Sequence, residues 1–143
     1  MYRAPSLSKL LTYAGALPFW LLALAILAGH LPALAAQAFI AYGTGIACFM
    51  AGTVWSQAQA RTQDPRPMLV LSNVAALVSI GALLLYPHAP GIALALHIAV
   101  YLILLAADLR LHSSGSQPAW YMTLRRNVTL LVITAYALVL ILT

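Results

Sequence analysis

Apolar residues dominate the chain in long runs that polar residues interrupt at short, regular intervals. Five runs approach the twenty or so residues that a helix rising 1.5 Å per residue needs to cross a hydrocarbon core of about 30 Å. They cover Leu10–Gly29, Leu34–Gln57, Met68–Tyr86, Gly91–Ala107 and Asn127–Thr143, the last with an interfacial lead-in at 120–126. Prolines mark the joints: Pro5, Pro32, Pro65, Pro67, Pro87, Pro90 and Pro118 fall in or beside the connections, where a missing N–H costs little. Pro18 alone lies inside a run and predicts a bend in the first helix. The links are short except at 108–117, "DLRLHSSGSQ", so consecutive helices must be neighbours. The pattern predicts an all-α, polytopic integral membrane protein, a single domain built as a compact bundle of five transmembrane helices.

Composition strengthens that reading. Hydrophobic residues make up 64% of the chain and charged residues 6%, where soluble domains carry roughly a quarter charged. Seven Lys/Arg face two acids, Asp64 and Asp108, too few charges to build a water-facing shell. The net charge of +5 is no nucleic-acid footprint, because the basic residues stand singly or in pairs with no stripe and no recognition motif. Their placement carries topology instead. Arg3, Lys9, Arg61, Arg66, Arg110, Arg125 and Arg126 all fall on one side of the predicted membrane, and 30–33, 87–90 and the segment after the fifth run have none. The positive-inside tendency predicts the N terminus in and the C terminus out, in a bacterial inner membrane or a mitochondrial inner membrane. Residues 1–35 also have the outline of a secretory signal, with Ala-x-Ala at 33–35. The apolar run is long for one, and Pro18-Phe19-Trp20 interrupts it, so a span is expected.

Chemistry within the runs is sparse. His97, Tyr101 and Asp108 are offset by four and eleven residues, which at about 100° per residue places them within roughly 40° on one face. That stripe is read as an ion or ligand path, or else as a neutral histidine and its neighbours bonded to other helices. Gly43, Ala47 and Ala51 recur every four residues and predict close helix packing, with Gly45 and Gly52 adjoining. At the fifth helix, Trp120 and Tyr121 are the rings expected at headgroup depth, and Arg125 and Arg126 can snorkel to phosphates or hold an anion. Asp108 at a helix C terminus calls for a cationic partner, and the same loop offers arginines. Cys48 is alone, so no intrachain disulfide, and no metal spacing exists. No hydrolase, metalloprotease or nucleotide-binding motif occurs. The expectation is a non-enzymatic module without cofactor or metal. Its partners would be membrane lipids, another membrane protein or a second copy, and a small transporter or lipophile binder is the alternative.

Three stretches, "LTYAGALPF" (11–19), "AYGTGIACFMAGTVW" (41–55) and "DLRL…PAWYMTLRRNVT" (108–129), together resemble the transmembrane protein 69-like family, also known as domain of unknown function 3429. The resemblance extends over almost the whole chain. It implies small bacterial or mitochondrial proteins with about five spans, and it brings no activity and no catalytic residue. The positions that carry it are Asp108, Pro118, Trp120, Tyr121 and Arg125, with Tyr42, Gly43, Phe49, Gly52 and Trp55 in the second stretch.

Overall fold

The computed structural model describes residues 4–61, 64–113 and 119–143. They form five α-helices and no strand: α1 Ala4–Leu27, α2 Pro32–Arg61, α3 Arg66–Leu85, α4 Pro90–Ser113 and α5 Ala119–Leu142. All five are long and apolar enough to cross a membrane, the build of a multi-pass membrane protein. Residues 108–113, which sequence analysis assigns to a connection, continue α4. The lead-in at 120–126 belongs to α5. Arg3 and Pro118 lie outside the described residues.

Local chemistry sets the helix ends. Pro32 and Pro90 open α2 and α4, and Pro67 is the second residue of α3, positions whose N–H would be unsatisfied anyway. α1 closes on Gly29 at φ 72. There Gly29 N donates to Ile26 O and His30 N to Ala25 O, the paired bonds of a Schellman cap that a left-handed glycine allows. Pro18 sits inside α1 without ending it.

Neighbouring helices pack in chain order, α1 closes the ring against α5, and α2 crosses to α4. α2 and α4 thus each pack against three other helices. On the middle turns of α2 the inward residues Gly43, Ala47 and Ala51 are small, so backbones approach closely. Phe19, Phe39, Tyr42, Tyr101 and Tyr136 converge between α1, α2, α4 and α5. Edge-on ring pairs occur at 4.7 Å (Phe39–Tyr136) and 4.9 Å (Phe19–Tyr42), a favoured aromatic geometry. Large aliphatic side chains such as Leu21, Leu77 and Leu84 point outward.

Candidate functional site: an ion pair, a histidine knot and an apolar cleft

The polar face of α4 turns inward, as its spacing predicts, and His97, Tyr101 and Asp108 are all buried. Each has its own partners. His97 Nε2 lies 3.0 Å from the Ser79 carbonyl oxygen and 3.4 Å from Thr44 Oγ1. A carbonyl only accepts, so Nε2 carries the ring proton. Nδ1 is then the acceptor, and Tyr136 Oη donates to it at 2.6 Å. Both ring nitrogens are satisfied with the imidazole neutral, and the bonds tie α4 to α2, α3 and α5. Tyr101 Oη donates to the Gly43 carbonyl at 2.7 Å, and Tyr42 Oη donates to the Gly15 carbonyl at 2.7 Å. These two hydroxyls thereby find acceptors on neighbouring backbones.

Gly43 has a second function in this knot. A Cβ at that position would land on the Tyr136 hydroxyl and lie 3.2 Å from His97 Nδ1. Only glycine leaves room for the His97–Tyr136 bond. Ala47 and Ala51 are buried beside it. Gly52, also expected to pack, is exposed, and a Cβ there would meet nothing within 4 Å. Nine residues at about 100° each put it roughly half a turn around α2 from Gly43, off the packed face. With Cys48, Trp55 and Asn73 it lines a shallow groove of about 210 Å³ between α2 and α3.

Asp108 meets Arg125, whose Nε donates to Asp108 Oδ2 at 2.7 Å. Both side chains are shielded, at 6% and 1% exposure. Arg125 therefore does not snorkel to the surface as sequence analysis allows. Its neighbour Arg126 is exposed. Trp120 and Tyr121 stack edge-on at 6.0 Å on the first turn of α5. Arg125 lies six residues beyond Ala119, about 9 Å along the axis, level with α4's carboxylate rather than with the bundle end. The other acid, Asp64, pairs with Arg66 at 2.9 Å in the open, and that guanidinium holds its carboxyl below the usual carboxylate range.

The guanidinium forms part of the wall of a cleft of about 250 Å³ between α1, α2 and α5. Phe19, Tyr101, Val128 and Val132 shape its inner wall. Leu11 and Phe49, 61% and 68% exposed, stand at its rim. Thr12 and Thr129 add hydroxyls, and Met50 Sδ accepts weakly from Arg125 Nη1 at 3.2 Å. His97 does not line it. Among the described residues no three His, Cys, Asp or Glu stand together as metal ligands.

The α4 stripe, Arg125 and the small face of α2 are marked in the sequence; Tyr136, Ser79, Thr44 and Thr129 are not. A lone tyrosine in "VITAYALVL" is the one signal that could have flagged Tyr136, since a phenol in an aliphatic run needs a partner. Ser79's contribution is a backbone carbonyl, which no sequence marks.

The family described as protein of unknown function (DUF3429) matches residues 4–141. That bears out the resemblance in its domain-of-unknown-function part, while the transmembrane protein 69-like name forms no part of the matched description. Comparison with curated proteins and with solved structures gives no match.

Proposed function

The chain belongs to the DUF3429 family, whose description assigns no activity, and we propose from the geometry that it is a non-enzymatic membrane module that holds a lipid or similar lipophile in the α1/α2/α5 cleft. The observation that carries this reading is the pairing of an apolar cleft with one buried, fixed guanidinium. A concave, mostly apolar pocket with few convergent polar groups is the usual form of a small-molecule site. The ion pair holds Arg125 rigid, so a ligand finds its polar contact already placed.

The membrane is the bacterial inner membrane (a mitochondrial inner membrane if the chain is eukaryotic), with the N terminus in. The basic connections at one end of the bundle support that orientation. Transport along His97, Tyr101 and Asp108 has less support, because each group is bonded within the protein and His97 is wholly buried. A second reading, docking of another membrane protein or a second copy, rests on the α2/α3 groove, where Gly52 leaves open space near Asn73.

Native mass spectrometry of the protein extracted gently with its own lipids tests the proposal. We expect one lipophile per chain, lost in Val132→Trp, which fills the cleft. A bare chain would reject the reading. A chain carrying only another protein, lost in Gly52→Leu, would replace it with docking.

A further inference from the structure

We infer that the cleft recognises an uncharged carbonyl oxygen on a lipophile, and that the acyl ester of a membrane lipid supplies it. The inference rests on the reading of the cleft as a lipophile site and specifies its head chemistry.

Three observations carry it. The first is the set of donors left over. Arginine offers five N–H donors. Nε is committed to Asp108 and Nη1 reaches Met50 Sδ, whereas Nη2 has no protein acceptor among the described residues. The Thr129 hydroxyl likewise makes no hydrogen bond among them, although the residue is only 3% exposed. Among the described residues, the fully shielded side-chain polar atoms without a partner are Gln57 Oε1 and Asp108 Oδ1. Nη2 and Thr129 Oγ1 are not in that group, so they remain open to the cleft they line. Arg125 and Thr129 are one turn apart on α5 and share a face. The other hydroxyls there are occupied, Thr12 with the Ser8 carbonyl at 2.6 Å and Tyr101 with Gly43. The cleft therefore presents donors in search of an acceptor.

The second observation is charge. Asp108 neutralises Arg125 at 2.7 Å in a shielded setting. A carboxylate or phosphate entering beside that pair would bring a net negative charge into a medium that penalises it. A carbonyl oxygen accepts from the same N–H and O–H groups without that cost. The third is size and depth. At about 250 Å³ the cleft is smaller than sites that enclose a drug-sized ligand. It holds the carbonyl end of one chain and the methylenes beside it, while Leu11 and Phe49 at the rim let the tail continue into the bilayer. Arg125 lies about 9 Å inside the start of α5, just below the ring pair Trp120–Tyr121, where acyl esters reside beneath the headgroups.

The test uses the full chain, stripped of lipid in a glycoside detergent, with four probes titrated by native mass spectrometry. Methyl oleate presents the neutral ester, oleate the carboxylate, and 1-octadecene the chain without a head. A decyl-substituted benzoquinone presents ring carbonyls. We expect methyl oleate at one per chain, about tenfold tighter than 1-octadecene and tighter than oleate at pH 8. Thr129→Val, which leaves the ion pair untouched, should weaken the ester roughly two- to tenfold, the loss of one hydrogen bond, and leave the alkene unchanged. Tighter binding of the quinone would keep the carbonyl site and reassign its source. Oleate binding more tightly than the ester would overturn the inference in favour of an anion site. Equal binding of ester and alkene would overturn it in favour of a chain groove without head recognition, with the lipophile reading intact. Binding of none of the four would remove that reading as well.

Discussion

Replacing Gly43 by alanine tests the central packing argument, and its size can be worked out in advance. The new methyl would occupy the place of the Tyr136 hydroxyl and crowd His97 Nδ1 at 3.2 Å. The hydroxyl cannot swing aside freely, because Tyr136 is fully buried and its ring packs against Phe39 at 4.7 Å. Relieving the clash requires α2 to shift or the phenol to leave His97. Overpacking a close-packed core costs about 1–3 kcal/mol, and a buried hydroxyl or ring nitrogen left unpaired costs about 1–3 kcal/mol more. Alanine's better helix propensity returns about 1 kcal/mol. The net is a loss of about 1–5 kcal/mol, and at roughly 2–4 °C per kcal/mol a mid-range loss lowers the melting temperature by about 6–12 °C. Gly52→Ala on the same helix is the control, since a Cβ there meets open space and only the propensity gain applies. Helical circular dichroism of both variants against temperature, in one detergent, reads the difference. A Gly43→Ala protein as stable as the parent, or a Gly52→Ala protein equally damaged, would refute the reasoning.

Breaking the inner ion pair from one side should be costly. Arg125→Met leaves Asp108 charged and alone, at about 3–5 kcal/mol, whereas the neutral pair Asp108→Asn with Arg125→Gln should recover most of that. A double variant no better than either single one would show that the pair is not coupled. His97→Gln keeps a donor for Ser79 and an acceptor for Tyr136 and should melt near the parent, while His97→Leu abandons both and should lose about 2–4 kcal/mol. Equal melting temperatures for the two would dismiss the hydrogen-bonded knot. Asp64→Asn, in the exposed pair with Arg66, should not change the melting temperature measurably at neutral pH. Because Arg66 lowers the folded carboxyl below its ordinary value of 3.8, any stabilisation from Asp64 is present above that value and fades as pH falls through the folded one. A parent-to-variant gap that widens in acid would contradict this sign.

The inward set of α4 was legible because one helix period aligns His97, Tyr101 and Asp108 whatever surrounds them. The partner of Asp108 was legible only as a class. Arg110, Arg125 and Arg126 all stood near in sequence, and burial of Arg125 against exposure of its neighbours depends on how α5 rotates against α4. The same rotation carries Thr129 into the cleft. On α2 the small residues look alike in sequence, yet Gly43 sits under Tyr136 while a Cβ at Gly52 would meet open space.

Sequence alone determined the number of helices, their approximate limits and their membrane-spanning length and apolarity, because the thickness of a hydrocarbon core and the backbone's need to bond internally leave a chain with 6% charge few other options. It also determined which face of α4 is polar, since that follows from spacing within one helix. The tertiary structure decided which arginine meets Asp108, which glycine admits Tyr136, and where an open cleft is left between α1, α2 and α5. Those outcomes join residues far apart in the chain. They depend on the relative rotation and approach of helices, which the many small side chains permit at several angles and only the complete packing selects.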